Sequence, residues 1–138
     1  MPAKVFAVID TNVVVSALFT RNPESATRRV LNLVLDGTIT PLFNEEILSE
    51  YQEVLSRDKF PFKPENINAV ILGIEHFGLN PGRKESKGKH LPDPKDVVFY
   101  EVALAKEESF LVTGNIKHFP KEPIVVTPSE FLRLIGKM

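Results

Sequence analysis

Residues 6–19 read FAVIDTNVVVSALF, an apolar run interrupted at positions 10 to 12 by Asp, Thr and Asn. Val5 to Ile9 is a β-branched stretch of strand length, and from Asp10 onward the pattern turns helical, with Thr11 or Asn12 available as N-cap. A strand this hydrophobic is expected to be buried on both faces, as in a parallel sheet sheathed by helices. An ionisable side chain at its carboxyl end must then have water, a helix N-terminus or a cation. The choice among these three for Asp10 carries most of what the sequence says about function.

Working outward, Asn22-Pro23-Glu24 predicts a second helix start, with Asn as cap and Pro at the first position, running to Gly37 as its stop. Thr38 to Phe43 reads as a second strand. Asn44, followed by Glu45 and Glu46, opens a third helix through about Arg57, and Pro64 to His76 reads as a fourth, ended by Gly78. Leu79 to Pro92 lacks any period and reads as an exposed loop, with room for a short strand before it. Asp93-Pro94-Lys95-Asp96 opens a helix through Ala105. Phe110 to Val112 and Ile124 to Val126 are strands, and Thr127-Pro128-Ser129-Glu130 is a capping box on a final helix. Strands separated by helices predict an α/β fold with a mainly parallel central sheet and helices on both faces, in a single domain over residues 1–138. In such folds ligands gather beyond the carboxyl ends of the strands, where Asp10 and the Thr113-Gly114-Asn115 turn both fall.

Composition narrows the function classes. The chain has no cysteine, which excludes disulfides, thiolate zinc sites and cysteine nucleophiles. A net charge of −1 gives no global basic field, so any nucleic-acid contact must be a local patch. No apolar run approaches membrane-spanning length, and Met1 to Lys4 lacks the features of a leader, so a cytoplasmic protein is expected. There is no Gly-rich Lys-Ser/Thr phosphate loop, no G-x-G-x-x-G turn and no G-x-S-x-G elbow. A phospho-acceptor receiver fits poorly, because Asp10 is followed by Thr and Asn and no aspartate ends the second strand.

The acids are placed unusually. On the third helix, Ile47, Leu48, Tyr51, Val54 and Leu55 form one stripe, and Glu50 borders it more closely than Glu46 or Glu53. Three, four and seven places after Asp96 stand Phe99, Tyr100 and Ala103, so this carboxylate shares an apolar face. Burying an unpaired carboxylate is costly, and no lysine or arginine is placed by local spacing to neutralise these groups together; a divalent metal would. Structural alternatives stand beside this. Asp10 can simply cap a helix, Glu50 can be a solvated edge residue, and Asp93 and Asp96 can serve the start of their own helix.

Taken in order, Asp10-Thr11-Asn12, Leu48-Ser49-Glu50-Tyr51, Asp93-Pro94-Lys95-Asp96 and Leu111-Val112-Thr113-Gly114-Asn115 resemble the PIN-domain ribonucleases, the family that includes the toxin halves of VapBC-type toxin–antitoxin pairs. The resemblance implies that Asp10, Glu50 and Asp96 hold Mg²⁺ or Mn²⁺, with Asn12 and Thr113 as polar supports on the substrate side. It implies metal-assisted hydrolysis of RNA, leaving 5′-phosphate and 3′-hydroxyl ends, by a protein that forms a homodimer and meets a cognate antitoxin. Asn115 departs from the pattern, since the family usually has aspartate there. An asparagine offers a carbonyl oxygen but brings no charge and cannot act as a base. The other reading is therefore a catalytically weak PIN-like module that binds RNA or a protein.

For substrate contact, Gly82 to His90 carries four basic residues against one acid, Arg83 and Lys84 among them, without an aromatic residue for stacking. A solvated loop is the alternative. Arg21, Arg28 and Arg29 could line the approach to Asp10, and Lys117 and His118 follow Asn115 closely. The three histidines are too far apart in sequence for a histidine metal motif.

Overall fold

Ala7, Val8 and Ile9 are consecutive residues of strand β1 (Val5–Ile9) and all three are buried. Successive strand side chains point to opposite faces, so β1 is covered on both. The computed structural model, which describes residues 4–86 and 91–137, places this strand inside one four-stranded sheet of order β2-β1-β3-β4. The partners are β2 (Ile39–Pro41), β3 (Ser109–Val112) and β4 (Val125–Val126). Every pairing is parallel, so the sheet is wholly rather than mainly so. Ile9 lies opposite Val112, and Val112 opposite Val126, which brings the carboxyl ends of three strands to one edge. The chain order reverses between β1 and β3, and a crevice opens at such a point.

Six α-helices surround the sheet among the described residues: α1 (Thr11–Phe19), α2 (Ala26–Leu35), α3 (Glu45–Leu55), α4 (Pro64–Phe77), α5 (Val97–Leu104) and α6 (Pro128–Leu134). α5 packs on β1 and β3, α2 and α4 on β2, and α6 on β3. None of these helices is long and apolar enough to cross a membrane.

Most expected elements are present with trimmed ends, and two starts differ. Asn22-Pro23-Glu24 does not open α2. Asn22 Oδ1 accepts from Glu24 N at 2.9 Å, which closes a local turn, and α2 begins at Ala26 with Ser25 as its cap. The helix expected from Asp93 is split into a 3₁₀ turn, Pro94–Asp96, and α5 proper. Leu79 contributes a single parallel bridge to Leu42 in place of a short strand. Gly78 does follow α4 as its cap, and the position needs glycine because a Cβ there would fall 2.3 Å from the Ile74 carbonyl oxygen and 2.6 Å from that of Pro41. The Thr127 capping box on α6 forms as the sequence indicates, with Thr127 Oγ1 accepting from Glu130 N and Glu130 Oε1 from Thr127 N, each at 3.1 Å.

Tyr51 of α3 is buried in the core, and its hydroxyl donates to the Ile9 carbonyl, so α3 is pinned to the end of β1. Tyr51→Phe keeps the ring and removes this bond. It should lower stability by about 1–2 kcal/mol in urea unfolding, and an unchanged midpoint would show that the bond contributes nothing to holding α3 in place.

Candidate active site

The three polar residues that follow β1 each do a separate job. Asp10 has extended backbone geometry and is itself the N-cap of α1, its Oδ1 accepting from Thr11 N at 2.9 Å. Of the three caps the sequence offered, Asp10 takes the position and Thr11 and Asn12 do not. Its other oxygen, Oδ2, accepts from Thr113 Oγ1 at 2.7 Å. Thr11 Oγ1 donates instead to Glu50 Oε2 at 3.2 Å, and Asn12 Oδ1 accepts from Gly114 N at 3.1 Å. These bonds join the loop after β1 to α3 and to the turn after β3.

Glu50 is brought in by α3, whose start is fixed by Asn44 Oδ1 accepting from Ile47 N at 2.9 Å. It is half-buried while Glu46 and Glu53 are exposed, as its position beside the apolar stripe requires. Asp96 arrives from the other side, at the junction of the 3₁₀ turn and α5. Asp93 caps that turn, its Oδ1 accepting from Lys95 N at 3.0 Å, whereas Asp96 makes no capping bond. Its Oδ2 is buried without a hydrogen-bond partner, and the His118 Nδ1 lies 3.4 Å away, close enough for attraction but not bonded.

Asp10, Glu50 and Asp96 line one cleft of about 520 Å³ together with Asn12, Asn115 and His118. Asn115 Nδ2 stands 3.0 Å from His118 Nε2, and its backbone N–H donates to Thr113 Oγ1 at 3.0 Å. Thr113 is fully buried behind Asp10. Burial pushes the Asp10 carboxyl above the usual range, against the opposing hydrogen bonds from Thr113 and Thr11, and the Glu50 charge pushes it further. Asp96 is pushed up to about 6, first by burial and then by the charges of Asp10 and Asp93. Both shifts describe acids crowded together in a poorly solvated place.

A hard divalent cation fits this donor set. Oxygen ligands are what Mg²⁺ and Mn²⁺ prefer, and Asp96 Oδ2 is a buried acceptor with no hydrogen bond, approached only by the His118 ring at 3.4 Å. Among the described residues no three acidic or histidine side chains stand close enough to enclose an ion by themselves. The fit is therefore to an ion that keeps several waters and takes one or two carboxylates directly, as Mg²⁺ commonly does.

The other sequence candidates lie elsewhere. Arg83 Nε meets Glu101 Oε1 at 2.5 Å and its Nη1 meets Glu46 Oε1 at 2.9 Å. Glu101 is buried, and its Oε2 also accepts from Ser86 N and Oγ, both at 2.6 Å, so Arg83 is engaged in tying the loop down. Neither Arg83 nor Lys84 lines the cleft, and Lys87 to His90 lie outside the described residues. Arg28 donates to the Ala17 carbonyl and Arg29 to that of Lys137; Arg21 lines a neighbouring groove. The basic groups that do line the cleft, besides His118, are Arg57 and Lys59, with Phe19 and Phe60 beside them. Sequence reasoning missed these four because they sit at the ends of helices and in a linker, where periodicity carries no signal.

A family model described as PIN domain matches residues 7–117 of the 138. No curated protein and no solved structure matches the chain.

The raised Asp96 sets a pH dependence. Between its unfolded value, 3.8, and about 6, the folded protein holds a proton that the unfolded chain has lost, so metal-free stability falls as pH rises through that window. Asp96→Asn should stabilise the metal-free protein above pH 6 by about 2 kcal/mol after allowing for solvent screening, with the gain vanishing below the unfolded value. Thermal melts across that range would show a pH-independent difference if the shift were absent.

Proposed function

The chain belongs to the PIN-domain family, a fold of the nuclease type, and from that premise we propose that it is a divalent-metal-dependent ribonuclease acting as the toxin of a toxin–antitoxin pair. The observation that carries the catalytic part is the meeting of Asp10, Glu50 and Asp96 in one cleft with a buried Asp96 oxygen that receives no hydrogen bond. Mg²⁺ or Mn²⁺ held by these carboxylates would supply Lewis-acid charge to the phosphodiester and the attacking water. The protein's own groups have the remaining work. Thr113 and the α1 N-terminus fix both oxygens of Asp10, and Thr11 orients Glu50. His118, beside Asp96 and Asn115, would be the group to hold a proton for the leaving oxygen. The acids act as ligands, not as nucleophiles.

Asn115 favours a second reading, a PIN-like binding module with weak or lost catalysis. It lines the cleft where a fourth acid would add charge, and the described acids do not by themselves enclose an ion. A homodimer and a cognate antitoxin belong to the first proposal; the exposed apolar side chains Leu72, Phe77 and Leu134 offer surface that such partners would cover.

Calorimetric titration with Mn²⁺, followed by incubation with a mixed RNA pool, separates the two. The enzyme reading expects the parent to bind Mn²⁺ and cleave, and Asp10→Asn to do neither while remaining folded, since an asparagine can still cap α1. Asn115→Asp should tighten Mn²⁺ binding and raise cleavage at least tenfold on the order of one added charge-assisted ligand, about 1.4 kcal/mol. Equal Mn²⁺ affinity in parent and Asp10→Asn would sink the site assignment, and an Asn115→Asp protein without cleavage would favour the binding module.

A further inference from the structure

The linker between α3 and α4 contains Lys59-Phe60-Pro61-Phe62-Lys63, two aromatic rings and two cations arranged symmetrically about a proline. Lys59 and Phe60 line the acidic cleft, while Pro61, Phe62 and Lys63 line a second groove of about 310 Å³. Phe19, the last residue of α1, lines both, so the two depressions are neighbours on either side of one shared ring. Phe60 and Phe62 lie nearly parallel with centroids 5.2 Å apart, and Phe19 stands edge-on to Phe62 at 6.4 Å. Phe19 is 61% exposed, a large aromatic surface that the core does not use.

Charge is distributed unevenly along this path. The acids are gathered in the first cleft, whereas the second groove is lined by Arg21 and Lys63 and by no acid. Phe62 stacks on one face of Phe60 and Lys59 Nζ sits over the ring 5.2 Å from its centroid, so a base taking that outer face would displace the exposed ammonium towards its own phosphate. Arg57 is bonded to Glu53, but that pair is solvent-exposed and exposed pairs yield readily. Asp58 lines neither depression. Pro61 fixes its own backbone and restricts that of Phe60, which limits the ordering the rings must undergo on binding.

Aromatic faces flanked by cations are how proteins hold unpaired bases, since every base has a π-face and every nucleotide a phosphate. We infer that Phe19, Phe60 and Phe62, with Lys59, Lys63 and Arg21, form a stacking track that leads single-stranded nucleic acid into the acidic cleft. A duplex has its bases paired and stacked already and cannot use the track. The inference rests on the nuclease reading for what happens at the end of the path, but the binding itself needs no metal.

The test uses short 5′-labelled oligo(U) and oligo(A), with an RNA duplex of equal length, titrated by fluorescence anisotropy in EDTA. The parent should bind the single strands more tightly than the duplex, and Phe19→Ala and Phe60→Ala should each weaken single-strand binding about fivefold or more. Phe19→Trp should hold the parent's affinity where Phe19→Leu does not, which separates stacking from apolar area. Lys59→Glu should weaken binding and flatten its salt dependence without touching the core. Unchanged single-strand affinity in both alanine variants, or a duplex bound as tightly as the single strands, overturns the track; that is also the result if the rings seat a protein. A parent that cleaves RNA in Mn²⁺ while the alanine variants bind normally would leave the nuclease reading standing and the track refuted. Loss of binding in the variants with no cleavage by the parent would do the reverse.

Discussion

Three carboxylates share one poorly solvated cleft, and among the described residues no lysine or arginine is bonded to any of them. Their mutual repulsion is what the surrounding structure has to contain. It does so with oriented dipoles in place of countercharges. Asp10 is held at both oxygens, by the helix it caps and by a buried hydroxyl. Glu50 receives one bond from Thr11, and one oxygen of Asp96 receives none. The acids are therefore graded in how firmly they are satisfied, and the least satisfied is the one pushed up to about 6. A lysine in this place would remove the strain and with it the site's appetite for an external cation.

The same contacts tie the sheet edge together. The loop after β1 and the turn after β3 flank the point where the strand order reverses, and they are joined by Asn12 to Gly114 as well as by Thr113 to Asp10. Tyr51 adds a bond from α3 to the last residue of β1. Residues that carry the chemistry and residues that carry the fold are thus neighbours on the same few turns of chain. Asp10 belongs to both groups, being at once a helix cap and a member of the acidic cluster.

What could be read from the sequence follows from how local its physical cause is. The buried first strand, the stripe that places Glu50 and the capping box at Thr127 depend on neighbours a few residues away, and the structure has all three. The helix start expected at Asn22 falls at Ala26 for an equally local reason, because an asparagine that can cap can also close a turn. Arg83 is different. Its partners lie 18 and 37 residues away, so nothing around it in sequence distinguishes a guanidinium folded inward from one offered to a phosphate. The aromatic residues of the 59–63 linker went unread for the same reason, since only the fold brings Phe19 against Phe62.

The bond between Thr113 and Asp10 spans 103 residues, and the central strand pair β1–β3 is of the same long range. Closing so large a loop precedes any reward from the contacts inside it, and a chain emerging from the ribosome grows by only about 5–20 residues each second. For several seconds the nascent protein carries Asp10 and Glu50 but neither the strand that supports the first nor the third acid. The cleft thus acts as its own clock. A chain arrested before β3 is made holds the parts of the site without its geometry, and whatever chemistry the finished cleft performs begins only after synthesis is nearly done.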